Sequence, residues 1–267
     1  MFSTFARHYL LALQFFTRIP VTGGLAVWVG YSPAMLRASA AHFPGVGWLV
    51  GAITAGVSAA MWQLLPGNAM TSLVVAVLGT VVSVMLTGAF HEDGLADVAD
   101  GLGGLSERER ALTIMKDSRV GAFGALALVL MLLTKGSLLA LIGSVDARLM
   151  CWALFAAHVV SRFFPLLLIR AMPYVGDAAG SKSKPLADQI SANSLCVAAL
   201  WLLAALGLVA GLGEGVALLA PLACATLAWL VMWRWFAVRL QGFTGDCLGA
   251  TQQVCEVAFY FGLAITL

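Results

Sequence analysis

The residues best equipped for chemistry lie in one polar stretch, His91 to Arg119, which reads HEDGLADVADGLGGLSERERALTIMKDSR. Glu92, Asp93, Asp97 and Asp100 form its dense core, and Glu107 trails them. Asp93, Asp97 and Asp100 follow i, i+4, i+7 spacing, which places them within about 60° of one another around an α-helix. Three unpaired carboxylates on one stripe repel. A divalent cation turns that repulsion into binding. Hard oxygen donors at this density suit Mg²⁺ or Mn²⁺, and Mg²⁺ commonly completes its shell with phosphate oxygens of a substrate. A solvated acidic face is the competing reading. Against it, these acids abut an apolar run instead of forming a long tail. Gly101, Gly103 and Gly104 are expected to break the helix after Asp100. Ser106 and Glu109 have capping-box spacing, and a second short helix over residues 107–117 would set Arg110, Lys116 and Asp117 beside the acids. Cations next to a metal–carboxylate cluster suit a polyphosphate, whose non-bridging oxygens Arg and Lys can hold. His91 opens the stretch as a general base, a substrate hydrogen-bond partner or a helix-end residue. Asp117 has a comparable claim as proton acceptor.

The elements that must position these groups are apolar helices. Of 267 residues 61% are hydrophobic and 10% charged, against roughly 25% charged in soluble domains, so lipid is the expected solvent. The net charge of +2 argues against nucleic-acid binding. The cysteines at 151, 196, 224, 247 and 255 are scattered and read as small buried hydrophobes. The expected fold is all-α, a single polytopic transmembrane helix bundle over residues 1–267. Its spans are expected near 43–65, 71–90, 122–143, 149–170, 194–212, 219–238 and 248–267, the last weakened by Gln252, Gln253 and Glu256. Residues 1–20 read as an interfacial amphipathic helix or as a packed helix of the bundle. The connections near 66–70, 144–148 and 213–218 contain only Arg148 among Lys and Arg. The opposite side receives Arg7, Arg18, Arg37, Arg108, Arg110, Lys116, Arg119, Lys182, Lys184 and Arg239. That asymmetry puts the amino terminus and the 91–121 insert in the cytoplasm. Lys135 lies mid-span, where an unpaired charge is costly. It is expected to face the bundle interior and pair with an acid or a helix carbonyl end.

The stretches GAFHEDGLADVADG and ERALTIMKDSRVGAFG closely resemble the cobalamin synthase family, the adenosylcobinamide-GDP ribazoletransferases. FFTRIPV at 15–21, FPGVGWLVG at 43–51, Lys135, Ser161–Arg162 and TGDCLGA at 244–250 resemble further motifs of that family, in order along nearly the whole chain. The layout D-x-x-D-G at Asp97–Gly101 is also loosely similar to the CDP-alcohol phosphotransferases. The resemblance implies an inner-membrane, Mg²⁺-dependent enzyme that joins adenosylcobinamide-GDP to α-ribazole or its 5′-phosphate and releases GMP. Set beside that reaction, the helical spacing of the acids leads to the expectation that Asp93, Asp97 and Asp100 hold one or two Mg²⁺ ions gripping the pyrophosphate. Arg110, Lys116 and Arg119 would stabilise its charge, and His91 or Asp117 would accept the proton of the ribazole hydroxyl. Arg162, Asp246 and Glu256 are further substrate-binding candidates, with pairing to one another or to Lys135 as the alternative. The chain departs from the family's pattern at Gln253, often an acid, and at Gln241–Gly242, often two glycines. Beyond small molecules and lipid, the sequence leaves room for a homo-oligomer. A cation- or proton-coupled transporter is the alternative from another class. It predicts acids near mid-span at broken helices, whereas the dense cluster here sits at the end of a span.

Overall fold

A computed structural model describes residues 2–104, 107–176, 189–213 and 216–267. The proposed Ser106 cap and the basic residues Lys182 and Lys184 lie outside them. The elements are α1 (Phe2–Phe16), α2 (Gly23–Val29), α3 (Pro33–Ser39), α4 (Phe43–Leu64), α5 (Thr71–Thr87), α6 (Phe90–Leu102) and α7 (Arg108–Ile114). They continue with α8 (Ala122–Val145), α9 (Ala147–Ala171), α10 (Ala192–Leu212), α11 (Leu219–Arg239) and α12 (Gly245–Ala264). Every apolar segment expected to span is a helix. Five of the described helices are long and apolar enough to cross a membrane, six if α5 and α6 count as one bent pair. The last expected span, α12, falls short of that apolarity because Asp246, Gln252, Gln253 and Glu256 interrupt it; the last three are buried.

Side chains that would be anomalous on a soluble surface form the outer face: Val77, Val81 and Met85 on α5, Leu126, Val129 and Leu133 on α8, Leu227 and Val231 on α11. In lipid the hydrophobic effect does not drive helices together, so close packing must. Gly47 and Gly51, four apart on one face of α4, provide it. A Cβ at 51 would lie 2.9 Å from the Phe155 carbonyl oxygen, and one at 47 would collide with the His158 carbonyl. The partner, α9, is the central pillar. It packs against α4, α8, α10 and α12 and is buried along most of its length. The first helix, α1, joins the bundle by packing on α3 and α4, with Leu11, Ala12, Leu13 and Phe16 buried. This is the packed-helix alternative.

Alternation of helix direction gathers the start of α4, the end of α5, α6, α7, and the α11–α12 connection at one end of the bundle. Long-range bonds stitch that end together. Arg108 Nε donates to the Leu240 carbonyl at 2.6 Å, and Arg239 donates to the Leu102 and Gly104 carbonyls. Phe243 exchanges backbone bonds with Pro173 and Val175.

Candidate active site

The site begins with a sharp bend. Gly88 and Ala89 are both left-handed (φ +67° and +60°), and α6 leaves α5 at 91°. Gly88 suits that conformation. Ala89 adopts it at a cost, as positions that re-aim a functional element often do. The bend turns α6 toward the end of the bundle, with His91 and Glu92 in its first turn still buried. It runs from Phe90 to Leu102, one turn's fraction beyond the break expected at Gly101. Gly101 is helical because α7 packs there: a Cβ on it would meet the Met115 side chain at 2.5 Å and the Ala111 carbonyl oxygen at 3.0 Å.

The acid stripe forms as spaced. Asp93 is exposed, and Asp97 and Asp100 are half-buried on the same face. Asp100 also caps α8: its carboxylate accepts from the Gly121 N–H at 2.7 Å and the Gly124 N–H at 2.8 Å, satisfying amides that a helix start leaves unpaired. The stripe's opposite wall comes from 150 residues away in sequence. The first turn of α12 lies against α6 with backbone touching backbone. A Cβ on Gly94 would sit 2.8 Å from the Asp246 carbonyl oxygen, and one on Gly249 3.2 Å from that of His91. Asp246, whose side chain also accepts from the Thr244 hydroxyl at 3.2 Å, thereby joins Asp93 and Asp100 around Asp97. Burial first, then the three neighbouring carboxylates in the order Asp246, Asp93, Asp100, push the Asp97 carboxyl up to about 7.

Among the described residues no three His, Cys, Asp or Glu side chains converge into a ready metal cage. The donor chemistry nonetheless fits Mg²⁺, which is commonly held by one or two carboxylates plus waters and phosphate. The three carboxylates that raise Asp97 make its surroundings a region where a cation is favoured.

The remaining predicted residues fall into three places. Arg110 and Lys116 are exposed on and just beyond α7, which ends at Ile114, short of the expected 117. Asp117 and Arg119 are locked together: Arg119 Nη2 donates to Asp117 Oδ2 at 2.6 Å, and its Nε and backbone N–H donate to Oδ1 at 3.0 and 3.1 Å. These bonds hold the Asp117 carboxyl at about 2. His91, two residues from Asp93 and so about 200° around the helix, faces the interior. It is 2% exposed, stacks on Phe43 at 5.7 Å, and its Nε2 has no partner among the described residues.

Arg162 and Glu256 are deeper still. Lys135 Nζ lies 2.6 Å from Glu256 Oε1 with both side chains fully buried, the interior pairing expected of a mid-span lysine. Tyr260 donates to the same oxygen at 3.0 Å and Gln252 to the other at 2.7 Å. Arg162 donates to His158 Nδ1 at 3.0 Å and to the His158 carbonyl at 2.9 Å, with its guanidinium 5.8 Å over the Phe43 ring.

The sequence reading did not pair Asp246 with the stripe, nor identify the Glu92–Gln253 hydrogen bond at 3.1 Å. One signal was available. Gly94 and Gly249 interrupt helices at a cost of about 1 kcal/mol each relative to Ala, and a glycine tolerated there points to a close backbone neighbour.

The sequence model of the family described as cobalamin-5-phosphate synthase matches residues 8–264. An adenosylcobinamide-GDP ribazoletransferase of Albidiferax ferrireducens is 63% identical over 99% of this chain and 100% of its own length. Those of Leptothrix cholodnii and Vibrio cholerae are 48% and 43% identical, over 96% and 94% of this chain and 94% and 91% of their own. No solved structure matches. With a family match along almost its whole length and relatives this similar from end to end, the chain belongs to the cobalamin-5-phosphate synthase family.

Proposed function

We propose that this membrane protein is an adenosylcobinamide-GDP ribazoletransferase, working at the α6–α12 seam. The supporting observation is the meeting of Asp93, Asp97 and Asp100 with Asp246 at the bundle end where Arg108, Arg110, Lys116, Arg119 and Arg239 also lie. In the reaction a ribazole hydroxyl attacks the phosphorus joined to the corrinoid arm. The bridging P–O bond breaks, GMP leaves, and the hydroxyl proton passes to a base. Asp93, Asp97 and Asp246 present the carboxylates that would hold Mg²⁺, with Asp100 adding charge while it anchors α8. Bound there, Mg²⁺ supplies neutralisation of the pyrophosphate.

Arg110, Lys116 and Arg119 can take non-bridging oxygens. Asp117 is a poor proton acceptor while Arg119 holds it. If Arg119 turns to the phosphates, the same movement frees Asp117, coupling substrate arrival to the availability of a base. His91 lies on the far side of α6 from the acids, stacked on Phe43, so it could act as the base only after a rearrangement that brings it to the attacking hydroxyl. The basic end and the acid site face the cytoplasm of the inner membrane on the charge asymmetry of the loops. A transporter would instead present unpaired acids at mid-span, where Glu256 is ion-paired.

Asp97→Asn tests the reading in purified, detergent-folded protein given adenosylcobinamide-GDP and α-ribazole. GMP release should fall by about 10²-fold or more, the scale of a lost electrostatic contribution to the transition state. Chelator should abolish release in wild type and Mg²⁺ restore it. Near-wild-type turnover of Asp97→Asn would remove the metal assignment.

A further inference from the structure

Between α6 and α12 the backbones touch at Gly94, Asp246 and Gly249, and contact alone does not set how one helix slides or rotates on the other. One directional bond crosses that seam on the buried side. Gln253 Nε2 donates to Glu92 Oε1 at 3.1 Å, with Glu92 6% and Gln253 2% exposed. The same amide nitrogen donates to Gln252 Oε1 at 2.9 Å. Gln252 in turn donates to Ser161 Oγ at 2.9 Å and Glu256 Oε2 at 2.7 Å, and Glu256 is fixed by Lys135. Both N–H groups of each glutamine are thus committed, and the chain of bonds runs from α6 through α12 to α9 and α8. Its far end is immobilised by a buried ion pair. Its near end is Glu92, the residue beside Asp93.

We propose that Gln253 is a positioning residue for phosphoryl transfer, its amide tying Glu92 so that the α6 acids are held at a fixed reach from Asp246. This rests on the site assignment above. With Glu92 opposite, the amide of this chain supplies a donor that the ionised acid often found here in the family could not. A carboxylate at 253 would face the Glu92 carboxylate across the same gap, while a thioether would remove the donor that reaches Glu92 from α12.

Three variants, measured for kcat and KM in GMP release, for melting temperature in detergent, and for Mn²⁺ binding without substrate by electron paramagnetic resonance, test it. Gln253→Glu is expected to lower kcat at least tenfold, change KM for adenosylcobinamide-GDP less than threefold, and weaken Mn²⁺ binding at least fivefold. Glu92→Gln/Gln253→Glu exchanges the partners and rebuilds the bond across the seam, although Gln252 Oε1 loses its donor, and should raise kcat and Mn²⁺ affinity at least threefold above those of Gln253→Glu. Glu92→Gln/Gln253→Met removes the buried charge without rebuilding the bond. It should fold, with a somewhat lower melting point because Gln252 Oε1 loses its donor, yet keep the low kcat, which also covers the case in which Gln253→Glu alone fails to fold. A Gln253→Glu enzyme with unchanged kcat and Mn²⁺ affinity would overturn the proposal. So would equal recovery by both double variants, since the pair would then be needed only for folding. Failure of wild type to release GMP would strike the functional assignment instead, leaving Mn²⁺ binding and melting to judge the tie.

Discussion

At the scale of single residues, two buried electrostatic situations lead to opposite behaviour. Asp97 has three carboxylate neighbours, and its carboxyl is pushed up to about 7 from the usual value of 3.8. Between those values the folded chain keeps a proton that the unfolded chain has released, so this group's contribution to stability falls as pH rises through that window. Metal-free protein in chelator should therefore melt at progressively lower temperature from pH 5 to pH 8. Asp97→Asn should make the decline shallower, and added Mg²⁺ should raise the melting point more at pH 8 than at pH 5. An Asp97→Asn slope equal to wild type would contradict the clustering of the acids. Glu256 is the opposite case, because Lys135, Tyr260 and Gln252 all serve it. Lys135→Met strands a buried carboxylate and should cost about 3–5 kcal/mol in chemical denaturation. Lys135→Met/Glu256→Gln should recover most of that, because neither side chain then carries a charge.

At the scale of elements, the seam and the α11–α12 turn carry the testable geometry. Gly94→Ala would bring a methyl to 2.8 Å from the Asp246 carbonyl oxygen and 3.1 Å from its Cα, both backbone atoms. The helices must separate, at about 1–3 kcal/mol, and GMP release should drop with stability. Gly249→Ala, with nearest approaches of 3.2–3.5 Å, should be milder on both counts. The reverse order would mean that α12 does not lie against α6 as described. Gln241 stands where the family often has glycine and is left-handed, with φ +55°. Its side chain is exposed, so Gln241→Gly should stabilise the fold by up to about 1 kcal/mol without altering turnover. The sequence showed the helices themselves, because apolar runs and their lengths are local properties. It also showed the acid stripe, because 3.6-residue periodicity needs no partner. It did not show the bend at Gly88–Ala89, since a left-handed alanine carries no local signal. Nor did it show the α12 wall of the site, since Asp246 and Gln253 meet α6 only through tertiary packing. The interior placement of Lys135 was legible for a different reason: the cost of an unpaired charge in lipid leaves few alternatives.

At the scale of the whole molecule, the bundle separates two kinds of polar group by depth. The interior set, Lys135, Glu256, His158, Arg162 and Gln252, is bonded to itself and shielded from lipid by apolar faces. The end set, Asp93, Arg110, Lys116 and Arg119, is exposed, and on the proposed site assignment the reaction would be a surface process on a membrane scaffold. The proposed orientation puts that end in the cytoplasm, because short loops rich in Lys and Arg tend to stay there. A cysteine introduced at Thr113, exposed on α7, should therefore react with a membrane-impermeant maleimide in inverted inner-membrane vesicles and resist it in intact spheroplasts. A cysteine at Asn68, in the exposed α4–α5 connection at the opposite end, should show the reverse. Both cysteines are introduced in a Cys196→Ser background, because Cys196 is exposed near the start of α10, and that background without them supplies the blank. Labelling of both sites from one side would break the alternation on which the bundle is read. Labelling of both from the wrong sides would preserve the fold and invert it, moving the acid site away from the compartment in which nucleotide-activated substrates are made.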